Sequence, residues 1–202
     1  MAADRTYATT VGSQAVELPL VDLSDELTIA LLISVDLGVA FAEVAGRELA
    51  DLMRPADPEI VVSVATMGIP VAIEASRALG LDDYLILHKT PKIHLGETWS
   101  EPVTSITTDA AQRLRMDPAR VSAVRGRRVA VVDDVISTGA STLAALRLVR
   151  RTGAEPVVIG TLMTEGSGWR SALGTDAHLV RSLGSMPLFG PGPDGQLVEI
   201  WD

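Results

Sequence analysis

Residues 129–142, V-A-V-V-D-D-V-I-S-T-G-A-S-T, constrain the fold more than any other part of the chain. An apolar strand at 129–132 runs into two acids, Asp133 and Asp134, then a turn of small residues, then a helix at 141–151 that stops before Gly153. A strand apolar at every position needs cover on both faces, as in the parallel sheet of an α/β protein. In such sheets ligands sit beyond the carboxyl ends of the strands. There, Ser137, Thr138, Gly139, Ala140, Ser141 and Thr142 offer hydroxyls and open backbone N–H groups at a helix N-terminus, which suits a phosphate. Like charge bars Asp133 and Asp134 from that phosphate; they suit sugar hydroxyls or a hydrated Mg²⁺. The segment therefore points to a phosphorylated sugar. Acid pairs at strand ends also occur in response regulators, phosphatases and nucleotidyl enzymes, and Ser/Thr/Gly turns also serve only as helix caps. The Gly-Lys-Ser/Thr ending of a Walker loop is missing.

The rest of the chain repeats the alternation. Residues 60–65 read as a strand, 70–79 as a helix capped by Gly80, 84–87 as a strand, and 157–163 and 178–183 as two more. Residues 27–54 read as a helix, broken near Gly38 and ended by Arg54-Pro55, with a buried or subunit-facing surface. Residues 93–109, with Gly96, Pro102 and many Ser/Thr, suggest a long loop or a hairpin. Residues 1–26 form a lead-in, in which 16–20 predict a strand that Pro19 confines to a sheet edge. Residues 190–195 predict a turn-rich tail. The expectation is one domain of 202 residues, with 1–26 as lead-in or hood, 27–189 as core and 190–202 as tail.

Composition narrows the function classes. Seventeen basic and 26 acidic residues give a net charge of −9, which argues against a nucleic-acid partner. The chain has no cysteine, so disulfides and thiolate metal sites are excluded. Aromatic residues are 3%, too few for base-stacking platforms. The apolar run at 27–45 is interrupted by Asp36, Gly38 and Glu43, so no membrane span is expected, and neither is an export signal. The cytoplasm is the expected location. Trp169 and Trp201 read as packing or dimer residues, and His94 and His178 as solvent or strand-end residues.

The 129–142 stretch resembles the phosphoribosyl-pyrophosphate (PRPP) signature of type I phosphoribosyltransferases: apolar strand, two acids, then Thr-Gly-x-Ser/Thr. The resemblance implies a central, mostly parallel sheet flanked by helices, with a small hood from the N-terminal segment. It implies that Asp133 and Asp134 lie near the ribose hydroxyls and Mg²⁺, and that residues 137–142 cradle the 5′-phosphate. Ala140 replaces a glycine common in the family, which is tolerable if its φ is negative. Thr66, Met67 and Gly68 resemble the family's pyrophosphate loop, and Lys89 and Lys92 its basic cluster. Residues 93–109 occupy the place of a mobile loop, in which Glu97 is the candidate acid/base.

The similarity spans about residues 16–189 and is greatest to the adenine phosphoribosyltransferase-like branch. The implied reaction transfers the 5-phosphoribosyl group of PRPP to a purine base, adenine before xanthine, with Mg²⁺ and in a homodimer. Ser137 stands where hypoxanthine-guanine enzymes place an aspartate, and serine at its normal pKa cannot act as a base unaided. A PRPP-sensing regulator without turnover is one alternative, since 64–70 resembles purine-operon repressors. An orotate enzyme is another, although 93–109 lacks that branch's lysines.

Overall fold

The computed structural model describes residues 5–91, 99–103, 112–193 and 196–202. At its centre five strands run parallel in the order β10-β9-β8-β4-β5. These are β4 (Ile60–Val64), β5 (Tyr84–Leu87), β8 (Arg128–Ile136), β9 (Glu155–Glu165) and β10 (Val180–Met186). Helices α1 (Gly38–Met53) and α2 (Gly68–Leu79) are joined to one face of the sheet, and α4 (Ala140–Arg151) to the other. The short helices α3 (Val121–Val124) and α5 (Trp169–Leu173) lie on the α4 side.

Burial on both faces explains the unbroken apolar strands. Ile60, Val62 and Val64 pack with Leu146 and Leu148 of α4, whereas Val61 packs with Leu49 and Met53 of α1. Each such side chain contributes about 1.5–3 kcal/mol when fully buried. Gly160 of β9 allows α1 close approach, because a Cβ there would sit 2.5 Å from Met53 Sδ. The sheet, its helical cover and the α2 cap at Gly80 (φ 77°) follow the sequence reading.

A second, antiparallel sheet has the order β1-β2-β3-β11-β12. It joins β1 (Thr6–Val11), β2 (Gln14–Ser24) and β3 (Leu27–Ala30) to β11 (Leu188–Pro191) and β12 (Leu197–Ile200). Three expectations are corrected here. Residues 27–30 are strand, not helix; a short 3₁₀ segment, Ser34–Leu37, precedes α1. A four-residue apolar strand followed by apolar linker carries the same composition as buried helix, so periodicity cannot separate them. The strand at 16–20 lies inside the sheet rather than at its edge. Pro19 is accommodated because pairing with β3 stops at Leu20↔Ala30, and only its carbonyl is needed, by the Leu31 N–H at 2.9 Å. Residues 188–191 and 197–200 are no tail but strands β11 and β12, so both flanks of the chain build the hood.

Strands β6 (Trp99–Val103) and β7 (Gln112–Met116) pair as a hairpin. Backbone bonds of 2.9 Å in both directions between His88 and Arg115 tie it to the end of β5. Glu101 pairs with Arg151 at 2.8 Å, and the Arg151 guanidinium lies 5.3 Å from the Trp99 ring centroid. No helix among the described residues is long and apolar enough to cross a membrane.

Candidate functional site

At the carboxyl ends of β4, β5 and β8 a cleft of about 280 Å³ collects Thr66, Met67, Lys89, Asp133, Asp134 and residues 137–142. Three stretches far apart in sequence meet there because their strands are neighbours in the sheet. Lys92 and Glu97 lie outside the described residues.

The turn at 137–142 is set by Gly139, whose φ of 78° needs a residue without Cβ, and whose carbonyl receives the Leu143 N–H at 2.9 Å. Ala140 begins α4, and among the described residues Asp57 is the one non-glycine with positive φ, so alanine replaces glycine there without strain. No acid lies in the first turn of α4 and two arginines lie in its last, which leaves its N-terminus free to receive an anion.

Opposite stands the 65–67 turn, entered by a cis Ala65–Thr66 peptide. It is held by the Ser34 hydroxyl, which donates to the Met67 carbonyl at 2.6 Å. Gly68 sits behind it rather than on the cleft wall. A Cβ on Gly68 would come within 2.6 Å of Ser63 Oγ and 2.9 Å of Asp133 Oδ1, so this residue brings the loop and the acids together. Gly68→Ala should cost about 1–3 kcal/mol through overpacking. Ser63→Ala in the same chain should recover part of that loss in the urea midpoint, since Ser63 Oγ is buried with no hydrogen-bond partner among the described residues. Lys89 is positioned through its carbonyl, which accepts from Arg115 Nη1 at 2.6 Å.

Burial raises the Asp133 carboxyl well above the usual carboxylate range, and the neighbouring Asp134 charge adds to this. Burial raises Asp134 as well, while hydrogen bonds from Asp133 and from backbone N–H groups oppose the rise. Lys89 pulls both down. Such a pair suits a divalent cation, which neutralises it, or a sugar diol, which donates hydrogen bonds to it. No cluster of three metal-ligating side chains occurs among the described residues. The donor set suits Mg²⁺, which takes one or two carboxylates and completes its shell with water and substrate oxygens.

A second chamber, about 640 Å³, adjoins the first and shares Met67, Asp134, Val135, Ser137 and Thr138 with it. The hood supplies Leu23, Leu27, Ile29 and Leu188, and the core supplies Met186 and Glu165. Sequence reasoning missed Glu165. It ends β9 as Asp133–Asp134 nearly end β8, and the same strand-end rule that marked the pair would have marked it.

The fold and this cleft define an α/β protein with a small-residue turn, an acid pair and a lysine gathered at its strand ends. The chain belongs to the phosphoribosyl transferase domain family, which it matches over residues 39–188. It is 29% identical over 133 residues, 65% of its length, to the xanthine phosphoribosyltransferase of Laribacter hongkongensis. It is 34% identical over 106 residues, 52% of its length, to the amidophosphoribosyltransferase of Methanothermobacter thermautotrophicus. The matched stretches span 64% and 21% of those relatives, so the chain covers less than two thirds of either. The crystal structure of adenine phosphoribosyltransferase from Rhodothermus marinus has the same fold, with a TM-score of 0.62 at 19% identity over 90% of this chain and 94% of that one.

Proposed function

We propose that the protein transfers the 5-phosphoribosyl group of PRPP to a purine base, releasing pyrophosphate. One observation carries this: a polar cleft with a half-buried acid pair adjoins an apolar chamber, and the two share a wall. The 5′-phosphate lies on residues 137–142, and the ribose diol on Asp133 and Asp134. Pyrophosphate faces the backbone at 66–68 and Lys89, with Lys92 as a second point charge. The base enters the chamber, where aliphatic side chains contact its faces.

Charge developing on the leaving pyrophosphate is met by fixed donors in a cleft that limits water, where each is worth more than in bulk solvent. Mg²⁺, held by Asp133 and Asp134, would neutralise substrate charge when bound. Glu97 remains a candidate acid/base on the 93–109 segment. The proposed assembly is a homodimer, and the proposed location is the cytoplasm.

Adenine comes before xanthine. Among the described residues, the titratable side chains lining the chamber are Asp134 and Glu165, which accept from N–H groups and repel the anion that xanthine forms readily. The test is pyrophosphate release from PRPP and Mg²⁺ with adenine, xanthine, hypoxanthine, guanine and orotate in turn. Adenine should be fastest. Silence with all five leaves a PRPP-binding regulator as the reading.

A further inference from the structure

The wall shared by the cleft and the chamber is where a sugar held in one would meet a ring held in the other. Ser137 is on that wall. The β8–β9 register pairs Ile136 with Thr164, so Ser137 and Glu165 come next, side by side at the strand ends. Both side chains line the chamber, which places the Ser137 hydroxyl beside the Glu165 carboxylate. Glu165 is only 6% exposed, and no ion pair among the described residues involves it. A buried carboxylate without a cation is costly to keep in an apolar wall. A Ser137 hydroxyl that donates to Glu165 keeps its oxygen lone pairs for an N–H brought into the chamber.

Resting on the transferase reading above, we propose that Ser137 and Glu165 form a proton relay for the base. The base nitrogen forms its bond to ribose C1′ as the C1′–O bond to pyrophosphate breaks, with the electron pair leaving on pyrophosphate. The N–H proton of the base passes to Ser137 Oγ, and the hydroxyl proton of Ser137 passes to Glu165. Glu165 later returns a proton to solvent through Ser137. Serine alone is too weak a base for this role; a carboxylate behind it removes the difficulty. Burial raises the Glu165 carboxyl, against the Ser137 hydrogen bond, which makes it a better acceptor than an exposed glutamate. Asp134 is the other titratable group on the chamber wall, and Lys89 faces the cleft instead.

Glu165→Gln keeps size and hydrogen bonding but cannot take the proton. With adenine its kcat should fall about 10²-fold, as for loss of a general base. The KM for PRPP and the melting temperature should stay near the wild-type values. Two further readouts separate a relay from a merely structural glutamate. The deficit should shrink with 8-azaadenine, whose ring N–H is more acidic than that of adenine. It should also shrink as pH rises toward adenine's own ionisation, because an ionised base needs no acceptor. Ser137→Ala should show the same two trends. A Glu165→Gln enzyme as active as wild type, or equally slow with both bases at every pH, would overturn the relay. If wild type itself releases no pyrophosphate with any base, the transferase reading is what fails.

Discussion

Asp133→Asn is expected to slow turnover sharply while making the folded protein more resistant to heat. The carboxyl is buried beside Asp134, and both features favour its protonated form. A folded-state value above the unfolded one means that the native state binds more protons between the two. Stability from this group is therefore full below the ordinary aspartate range and is lost as pH climbs through the raised folded value. At neutral pH the wild-type pair is a liability that asparagine removes. Asparagine Oδ1 still accepts from the Asp134 N–H, a bond of 3.0 Å in the wild type. Each kcal/mol so relieved raises the melting temperature by about 2–4 °C in a chain of this size. Scanning calorimetry at pH 5 and pH 8 should show a gain that is larger at the higher pH. Turnover should fall about 10²–10³-fold, the usual loss when one electrostatic group is removed from a reaction centre. A variant that melts earlier at pH 8 would contradict the electrostatic account.

Gly46→Ala is expected to be among the most damaging single-methyl additions in the molecule. A Cβ on Gly46 would lie 2.4 Å from Glu74 Cβ and 2.8–2.9 Å from the backbone of Glu74 and Ala75. Alanine in mid-helix normally gains up to about 1 kcal/mol over glycine. Here the contact is with backbone, so α1 must move off α2, and overpacking of about 1–3 kcal/mol or more outweighs that gain. We expect a net loss of about 2 kcal/mol in urea titration. Gly168→Ala is the control: nothing lies within 4 Å of its Cβ position and its φ is −56°, so it should be neutral or slightly stabilising.

The parallel sheet was legible because β4, β8 and β9 hold apolar runs, and β4 and β8 lead into helices with a clear start or stop. The PRPP-like turn was legible because hydroxyls, glycine and acids sit contiguously between Asp133 and Thr142. The hood was not. Its strand Leu27–Ala30 is only four residues long and lies in an apolar run whose helix begins later, at Gly38. Its partners at 188–200 look like turn and tail until the fold brings β11 beside β3. The final strand of the central sheet, expected at 178–183, runs instead from Val180 to Met186, since residues 174–179 form a 3₁₀ segment. Arg128 pairs with Asp57 at 2.8 Å and Glu59 at 3.4 Å, which fixes the entry to β8. Trp169 is buried as expected, whereas Trp201 is exposed. Glu165 escaped notice because a single acid after an apolar run resembles the end of any strand. Its meaning depends on Ser137, which only sheet register brings beside it.

The antiparallel sheet also governs the order of assembly. Leu23, Leu27 and Ile29 come early in translation, but Leu188, which closes the same chamber and pairs with Ile29, comes late. A ribosome-bound chain stalled before β11 can already possess the phosphate turn and the acid pair, yet it has no closed compartment for the ring. The residues of the 137–142 turn thus leave the ribosome before the residue that completes the wall of the adjoining chamber.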